Sequence, residues 1–286
     1  MTFLRKNGWL LALVLVFVLL DLAVGLLFQP YIVSSGQFVC NDFELTQRAH
    51  PEKVWDRVFF GNSVVISAYR EELSESGYVN LGLDYGVVRD LWKMVRRGDI
   101  HIGSELVIGL SDLTLYDTFE TNPTYPWNRG LLEPYTYFQR DRLRIYVESF
   151  LRRSGREDHS GQQKSHYSGS LSTDELNEKL AASRYVNLPI EDFQENLRCL
   201  GKLADYCAKN GIRMRCVWMP VNPEVAISAE TRAVCEQAKA VCAAKQVEFF
   251  DLERALDVPC FYDIGHLNYE YGAYRFMEVI DPWLAS

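Results

Sequence analysis

Short apolar runs alternate with helical patterns through most of the chain. The first three runs each end in a turn and are followed by apolar residues at three- and four-residue spacing, as in an amphipathic helix. Continuous apolar runs are typical of strands buried on both faces, and their alternation with helices favours parallel pairing. The predicted strands cover residues 57–61, 78–82, 106–110, 214–219 and 247–252.

The segments between these runs predict helices. They cover residues 63–76, 85–97, 190–210 and 228–245. Gly77, Gly98 and Gly211 follow three of them directly and are expected to end them, because glycine readily adopts the left-handed conformation of a helix C-terminus. Five strands joined by crossover helices predict an α/β fold, a three-layer α/β/α sandwich around one parallel sheet.

One long segment, about residues 116–189, does not show this alternation of strand and helix patterns. It begins rich in proline and aromatic residues, continues with an arginine-rich helical pattern and then becomes strongly polar. A segment of this length that is not a simple connector is usually functional or disordered. We expect it to be an insertion beside the carboxyl edge of the sheet.

The chain opens with an apolar segment, residues 9–28, that contains a single charged side chain. About twenty residues at roughly 1.5 Å each match a hydrocarbon core of about 30 Å, so the segment predicts a transmembrane helix. Arg5 and Lys6 precede it, and no basic residue follows before Arg48. This bias places the amino terminus in the cytoplasm and the globular domain outside it. A core helix and a cleavable signal peptide are the alternatives.

The predicted organisation therefore has two parts. Residues 1–28 form a cytoplasmic stub and membrane anchor, and residues 29–286 form one extracytoplasmic domain that includes the insertion.

Composition and charge narrow the function further. The chain is 48% hydrophobic and 24% charged, which excludes a disordered or collagen-like protein. Its formal net charge of −8 would repel phosphate backbones, so nucleic acid is not an expected partner. The seven cysteines show no C-x-x-C spacing, and we predict neither a metal site nor a cofactor.

Polar residues stand where a parallel sheet binds its ligands, outside the carboxyl ends of the strands. Ser63 opens a helix just after the first strand, and Asp263 and His266 lie three residues apart before the last helix. A hydroxyl, an imidazole and a carboxylate are the components of a Ser-His-Asp nucleophile. Each residue also has a simpler interpretation, as a helix cap, a turn residue or one of five histidines.

The order of these motifs resembles the SGNH (GDSL-like) hydrolase superfamily over about residues 57–280. The shared features are GNS after the first strand, an NLG turn after the second and D-x-x-H before the last helix. Residues 263–273 and the MPVNP segment at 219–223 are similar to its membrane-anchored O-acylation branch, the DltD-, AlgJ- and AlgX-like proteins. The resemblance implies a flavodoxin-like sandwich with Ser63 as nucleophile, His266 as general base and Asp263 as the residue that orients the imidazole.

The same resemblance implies an oxyanion hole built from the backbone N–H groups of Ser63 and Gly82. The family usually adds an asparagine after the third strand, where this chain has Ser111. A serine hydroxyl can still donate, but loss of one well-placed donor lowers rates by about 10²–10³. The candidate substrate-binding residues are Asn62, Tyr85 and Asn222.

The sequence thus predicts a membrane-anchored, extracytoplasmic serine O-acyltransferase or esterase that acts on acyl groups of a cell-envelope polysaccharide or teichoic-acid-like polymer. Water as acceptor gives hydrolysis and a sugar hydroxyl gives transfer, and the triad favours neither. The expected partners are that polymer or an acyl donor, the membrane through residues 9–28, and an integral-membrane acyltransferase. The alternatives are a non-catalytic assembly or binding protein of the same fold and a lipid esterase.

Overall fold

The structure, a computed structural model, describes residues 7–27, 33–128, 148, 151, 157–183 and 188–286. The chain divides into two compact units. The first comprises residues 1–48 and 123–163, and the second comprises residues 49–122 and 164–286. The predicted insertion contributes to both units, and most of its arginine-rich part lies outside the described residues.

The first unit contains helix α1, Gly8–Leu27, and all but the last residue of helix α2, Asp42–Ala49. A short 3₁₀ turn covers Pro126–Asn128. Two aromatic side chains at this turn pack together. The rings of Tyr125 and Trp127 stack with their centroids 4.9 Å apart, and both side chains are buried. These aromatic residues of the insertion therefore serve as core.

Helix α1 lies in the segment that was predicted to cross a membrane. Among the helices of the described residues, none is long and apolar enough to span a bilayer. The predicted transmembrane helix was therefore wrong. The prediction was made from the length and apolar character of the run in the sequence alone.

The second unit is built on a parallel sheet of five strands. They are β1 (Trp55–Gly61), β2 (Val79–Gly82), β3 (Ile102–Leu110), β4 (Arg213–Trp218) and β5 (Glu248–Asp251). Every neighbouring pair is parallel, and the spatial order is β2-β1-β3-β4-β5. Each strand overlaps an apolar run of the sequence, so the predicted α/β fold with five parallel strands is present.

The strand order reverses at β1, because the chain adds β2 on one side of it and β3 on the other. Such a switch point opens a crevice between the carboxyl ends of the two flanking strands, where open α/β sheets bind ligands. Here the crevice lies between the ends of β1 and β3. Ser63 follows the first of these strands and Ser111 follows the second.

Seven helices of this unit are described. They are α3 (Ser63–Ala68), α4 (Val88–Arg97), α5 (Asp112–Leu115), α6 (Thr173–Ala182), α7 (Gln194–Asn210), α8 (Ala229–Ala244) and α9 (Gly272–Leu284). The predicted helix at 63–76 was too long: α3 ends because Tyr69 takes an extended backbone, and a 3₁₀ turn, Glu71–Leu73, follows. Apolar spacing alone does not distinguish a helix from a helix followed by such a turn.

Helices cover both faces of the sheet. Phe59, Val107 and Val217 of three adjacent strands pack with α3 and α9 in one buried cluster. Their neighbours along the strands point to the opposite face, where α7 contacts α4, α8 and β4. This arrangement is compatible with the predicted three-layer sandwich.

A buried arginine forms an ion pair within the sheet and also joins the sheet to the C-terminal helix. Arg215 of β4 is fully buried, and its Nε lies 2.7 Å from a carboxylate oxygen of Glu105 on β3. Its Nη2 donates to the Tyr78 hydroxyl at 2.8 Å and to the Leu284 carbonyl at 2.9 Å, and its Nη1 donates to the Trp283 carbonyl. The last carbonyls of a helix have no partner within it, so the guanidinium satisfies the end of α9 and fixes its position.

Replacing this arginine should destabilise the protein strongly. We expect Arg215→Met to lower the free energy of unfolding by about 3–5 kcal/mol, because the buried Glu105 carboxylate would lose the guanidinium that lies 2.7 Å from it and the end of α9 would lose its donors. The measurement is urea-induced unfolding. Arg213→Met is the comparison: Arg213 lies two residues earlier on β4, is about half exposed, pairs with Glu248 at 3.1 Å and reaches Glu105 only at 3.6 Å, so its loss should cost less than about 1 kcal/mol. Equal losses of unfolding free energy in the two variants would contradict the role of Arg215 in fixing the end of α9.

Candidate active site

Ser63 is the first residue of α3 and directly follows the cap of that helix. Asn62 begins the helix through its side-chain oxygen, which accepts a backbone N–H at 3.0 Å. A Cβ added to Gly61 or Gly109 would lie 2.2 or 2.4 Å from a methyl carbon of Val65. Only glycine at these two strand positions allows α3 to approach the sheet so closely. Tight packing therefore holds the Ser63 hydroxyl at the carboxyl edge of β1.

The loop between β5 and α9 folds around the carboxylate of Asp263, which is 1% exposed. One of its oxygens accepts the backbone N–H groups of Gly265 at 3.1 Å and His266 at 2.9 Å. The Nδ1 atom of His266 lies 2.9 and 3.0 Å from the two carboxylate oxygens. The D-x-x-H spacing thus lets one carboxylate fix both the backbone of the loop and the orientation of the imidazole.

The two segments meet at the Ser63 hydroxyl. Its Oγ lies 2.8 Å from Nε2 of His266, so hydroxyl, imidazole and carboxylate form one hydrogen-bonded chain. A second contact holds the segments together, since the Ser67 hydroxyl on α3 accepts the Leu267 backbone N–H at 3.2 Å. The structure therefore brings together the three residues that the sequence singled out on separate segments.

The surroundings of Asp263 favour its ionised form. Burial by itself raises the pKa of this carboxyl, but hydrogen bonds and the charge of His266, with a hydrogen bond from Lys179, lower it by more. The pKa of Asp263 consequently lies well below the ordinary value of 3.8. The carboxylate is thus charged throughout the neutral range and can stabilise an imidazolium.

Two residues of the insertion reach this site, and the sequence analysis missed both. Lys179 of α6 donates from Nζ to a carboxylate oxygen of Asp263. Tyr167 stacks on the imidazole of His266 with ring centroids 4.2 Å apart, and that imidazole contacts the Ser63 hydroxyl. The one available signal was the position of the insertion after the sheet's third strand, which does not identify individual residues.

Tyr167 keeps its proton. Burial raises the pKa of its phenol, and the nearby carboxylates of Asp84 and Asp263 raise it further. These effects outweigh the influence of the neighbouring Ser63 hydroxyl, which lowers the pKa of Tyr167. A neutral phenol can donate a hydrogen bond, so Tyr167 brings an O–H donor next to the Ser63 hydroxyl.

The predicted oxyanion donors are not equally available. The Gly82 N–H donates to the side-chain oxygen of Asn80 at 2.9 Å, so in this arrangement it is already engaged. The Ser111 hydroxyl begins α5 by accepting the Thr114 backbone N–H at 3.2 Å, and it lies 3.4 Å from the Asn62 side-chain nitrogen. A serine at this position therefore has a capping role of its own.

Of the three predicted substrate-binding residues, Tyr85 alone is open to solvent. It is 54% exposed, has a φ of 57° and packs against Phe119. Asn62 is buried as the cap of α3, and Asn222 is buried with its side chain donating to the Asp263 carbonyl at 3.1 Å. The two asparagines thus support the site from within.

Among the described residues, no group of three or more His, Cys, Asp or Glu side chains is arranged to hold a metal ion. All seven cysteines are free and buried. Burial raises the pKa of the Cys207 thiol to about 12, so this side chain is a neutral apolar group at ordinary pH.

The depressed pKa of Asp263 predicts how stability depends on pH. Its contribution should be complete above the unfolded value of about 3.8 and should be lost as the pH falls further towards the lower folded value. We therefore expect the difference in unfolding free energy between the wild type and Asp263→Asn to be largest above about pH 5 and to shrink towards pH 2. Urea unfolding at a series of pH values measures it, and a difference independent of pH would refute the assignment.

No protein-family model matches this chain, and no curated protein is similar to it.

Proposed function

We propose that this protein carries out serine-dependent acyl transfer, with Ser63 as the nucleophile, His266 as the general base and Asp263 as the residue that orients the imidazole. The observation that carries the proposal is the hydrogen-bonded chain itself, with 2.8 Å between Ser63 Oγ and His266 Nε2 and 2.9 Å between His266 Nδ1 and the carboxylate. These distances lie within the reach that proton transfer between nucleophile and base requires.

The chemistry proceeds in two halves. As Ser63 Oγ attacks the acyl carbonyl, its proton passes to His266 Nε2, and Asp263 stabilises the resulting imidazolium. His266 then protonates the departing alcohol, which leaves the acyl group on Ser63 as an ester. In the second half His266 accepts the proton of water or of an acceptor hydroxyl, which attacks this ester, and the returned proton regenerates Ser63.

The negative oxygen of the tetrahedral intermediate needs donors close to Ser63. The Ser63 backbone N–H is one, because the first N–H groups of a helix have no partner within the helix. In this proposal the neutral hydroxyl of Tyr167, whose ring stacks on the imidazole that contacts Ser63, supplies another. In this proposal Tyr167 replaces the asparagine that the SGNH superfamily usually provides after the third strand, where this chain has Ser111.

The proposed substrates are acyl esters of a polysaccharide or teichoic-acid-like polymer of the cell envelope. The resemblance to the SGNH superfamily supports this class, and Tyr85 adds a structural argument. A bulky residue with positive φ is unfavourable and persists where its surroundings hold it, often at functional sites. Its exposed ring offers an apolar face against which a sugar can stack.

Every residue assigned to this reaction lies in the second compact unit. A non-catalytic role as a binding protein of the same fold is the second candidate. It is favoured by the engagement of the Gly82 N–H with Asn80, which removes one expected oxyanion donor.

An active-site probe tests whether Ser63 is a nucleophile. We expect a fluorophosphonate to label the wild type and to leave Ser63→Ala unlabelled. In His266→Ala labelling should be slower by about 10³-fold or more, because the Ser63 hydroxyl then lacks its base. Labelling is followed by gel fluorescence and intact-protein mass spectrometry. The control is Ser104→Ala, an exposed serine near the opposite end of β3, which should label normally. An unlabelled wild type would favour the non-catalytic candidate.

A second assay tests the sugar platform at Tyr85. With an activated acetyl ester as donor and a soluble oligosaccharide as acceptor, we expect Tyr85→Ala to raise the acceptor KM about tenfold, in line with the ~1.5 kcal/mol that a favourable ring contact contributes. Tyr85→Phe is the matched control, since it keeps the ring. The acetylated sugar is quantified by mass spectrometry. Equal KM values for Tyr85→Ala and the wild type would remove Tyr85 from the site, and the absence of any acetylated sugar would leave ester hydrolysis as the reaction.

A further inference from the structure

Helix α6 is attached to the loop that carries Asp263 and His266. The backbone N–H of Leu171, just before the helix, donates to the Tyr262 carbonyl at 2.8 Å. Ser172 caps the helix, with its hydroxyl accepting the Glu175 backbone N–H. Leu176, in the second turn, is 4% exposed and turns its face of the helix towards the protein.

Lys179 lies on that same face, because residues three apart in a helix are neighbours on its surface. Its Nζ donates to the outer carboxylate oxygen of Asp263 and lies 5.7 Å from the centre of the Tyr262 ring. The lysine side chain is 45% exposed, whereas Asp263 is 1% exposed. The cation therefore approaches the buried carboxylate from the solvent side, while His266 binds it from the side of Ser63.

We propose that Lys179 is a positioning residue of this site: its ammonium group holds the Asp263 carboxylate in place and offsets part of the charge that this carboxylate presents to the imidazole of His266. This inference rests on the proposed function, in which His266 must accept a proton from Ser63.

The electrostatic reasoning follows from the order of the groups. A carboxylate beside an imidazole favours the imidazolium, and a cation on the far side of the carboxylate opposes that effect. The remaining polar groups that face the couple are Tyr167 above the imidazole, Tyr262 beside Lys179, and Asp84 and Tyr85, which act on Tyr167. Lys179 is the cation among these groups, so its removal should make His266 easier to protonate.

A direct titration tests this inference without any turnover. In the full chain, NMR follows the imidazole of His266 against pH in the wild type and in Lys179→Met. We expect the titration midpoint to move upward by about 0.5–1 pH unit in the variant, a range that allows for solvent screening of a half-exposed lysine. Lys179→Arg retains the cation and should keep the wild-type midpoint.

The matched control is Lys53→Met, which removes an exposed lysine from the amino-terminal side of β1. It should leave the midpoint unchanged. If Lys179→Met also leaves the midpoint in place, or if Lys179→Arg shifts it as far as Lys179→Met does, the positioning role is overturned.

The rate of fluorophosphonate labelling gives an independent readout. Lys179→Met should slow labelling about fivefold near pH 6 and less than twofold near pH 9, which is well above the ordinary pKa of a histidine. A purely structural loss would slow labelling equally at both pH values and would contradict the inference. An unlabelled wild type would instead defeat the proposed function, while the titration would still decide the role of Lys179.

Discussion

The site depends on one buried carboxylate, that of Asp263. A charge removed from water in this way is unfavourable unless paired and hydrogen-bonded. Here two backbone N–H groups, the imidazole of His266 and the ammonium group of Lys179 satisfy it. The same contacts shape the loop before α9 and orient the imidazole towards α3. Because this buried charge must be paired and hydrogen-bonded, it determines both the local fold of the loop and the geometry of the candidate nucleophile.

The sheet supplies the other half of that geometry. Gly61 and Gly109 allow α3 to lie against β1 and β3, which places Ser63 at the switch point of the strand order. Near the other end of the strands, Arg215 fixes the end of α9 through its carbonyls and through Glu105. Helix α9 follows the loop of Asp263 directly, so these contacts of Arg215 anchor the helix that continues from that loop.

Much of the fold and of the candidate site could be predicted from the sequence, because the features used depend on residues that are close together along the chain. Strands buried on both faces appear as continuous apolar runs, and residues just after such runs must lie at one edge of a parallel sheet, which was sufficient to select Ser63, Asp263 and His266. Lys179 could not be found in this way, because 84 residues separate it from Asp263 and no local pattern encodes that contact. The engagement of the Gly82 N–H depends likewise on the orientation of the Asn80 side chain. The transmembrane helix predicted at residues 9–28 rested on the apolar run alone, and no helix of the described residues is long and apolar enough to span a membrane.

The proposed activity rests on whether the Ser63 oxygen becomes acylated. The most direct measurement is to mix the protein with an activated acetyl ester, quench it with acid within one turnover and locate the added acetyl group by peptide mass spectrometry. The account predicts an acetyl group on the peptide that contains Ser63, attached to the side-chain oxygen of Ser63. A protein that remains unmodified, or that carries the acetyl group only on lysine side chains, would contradict it.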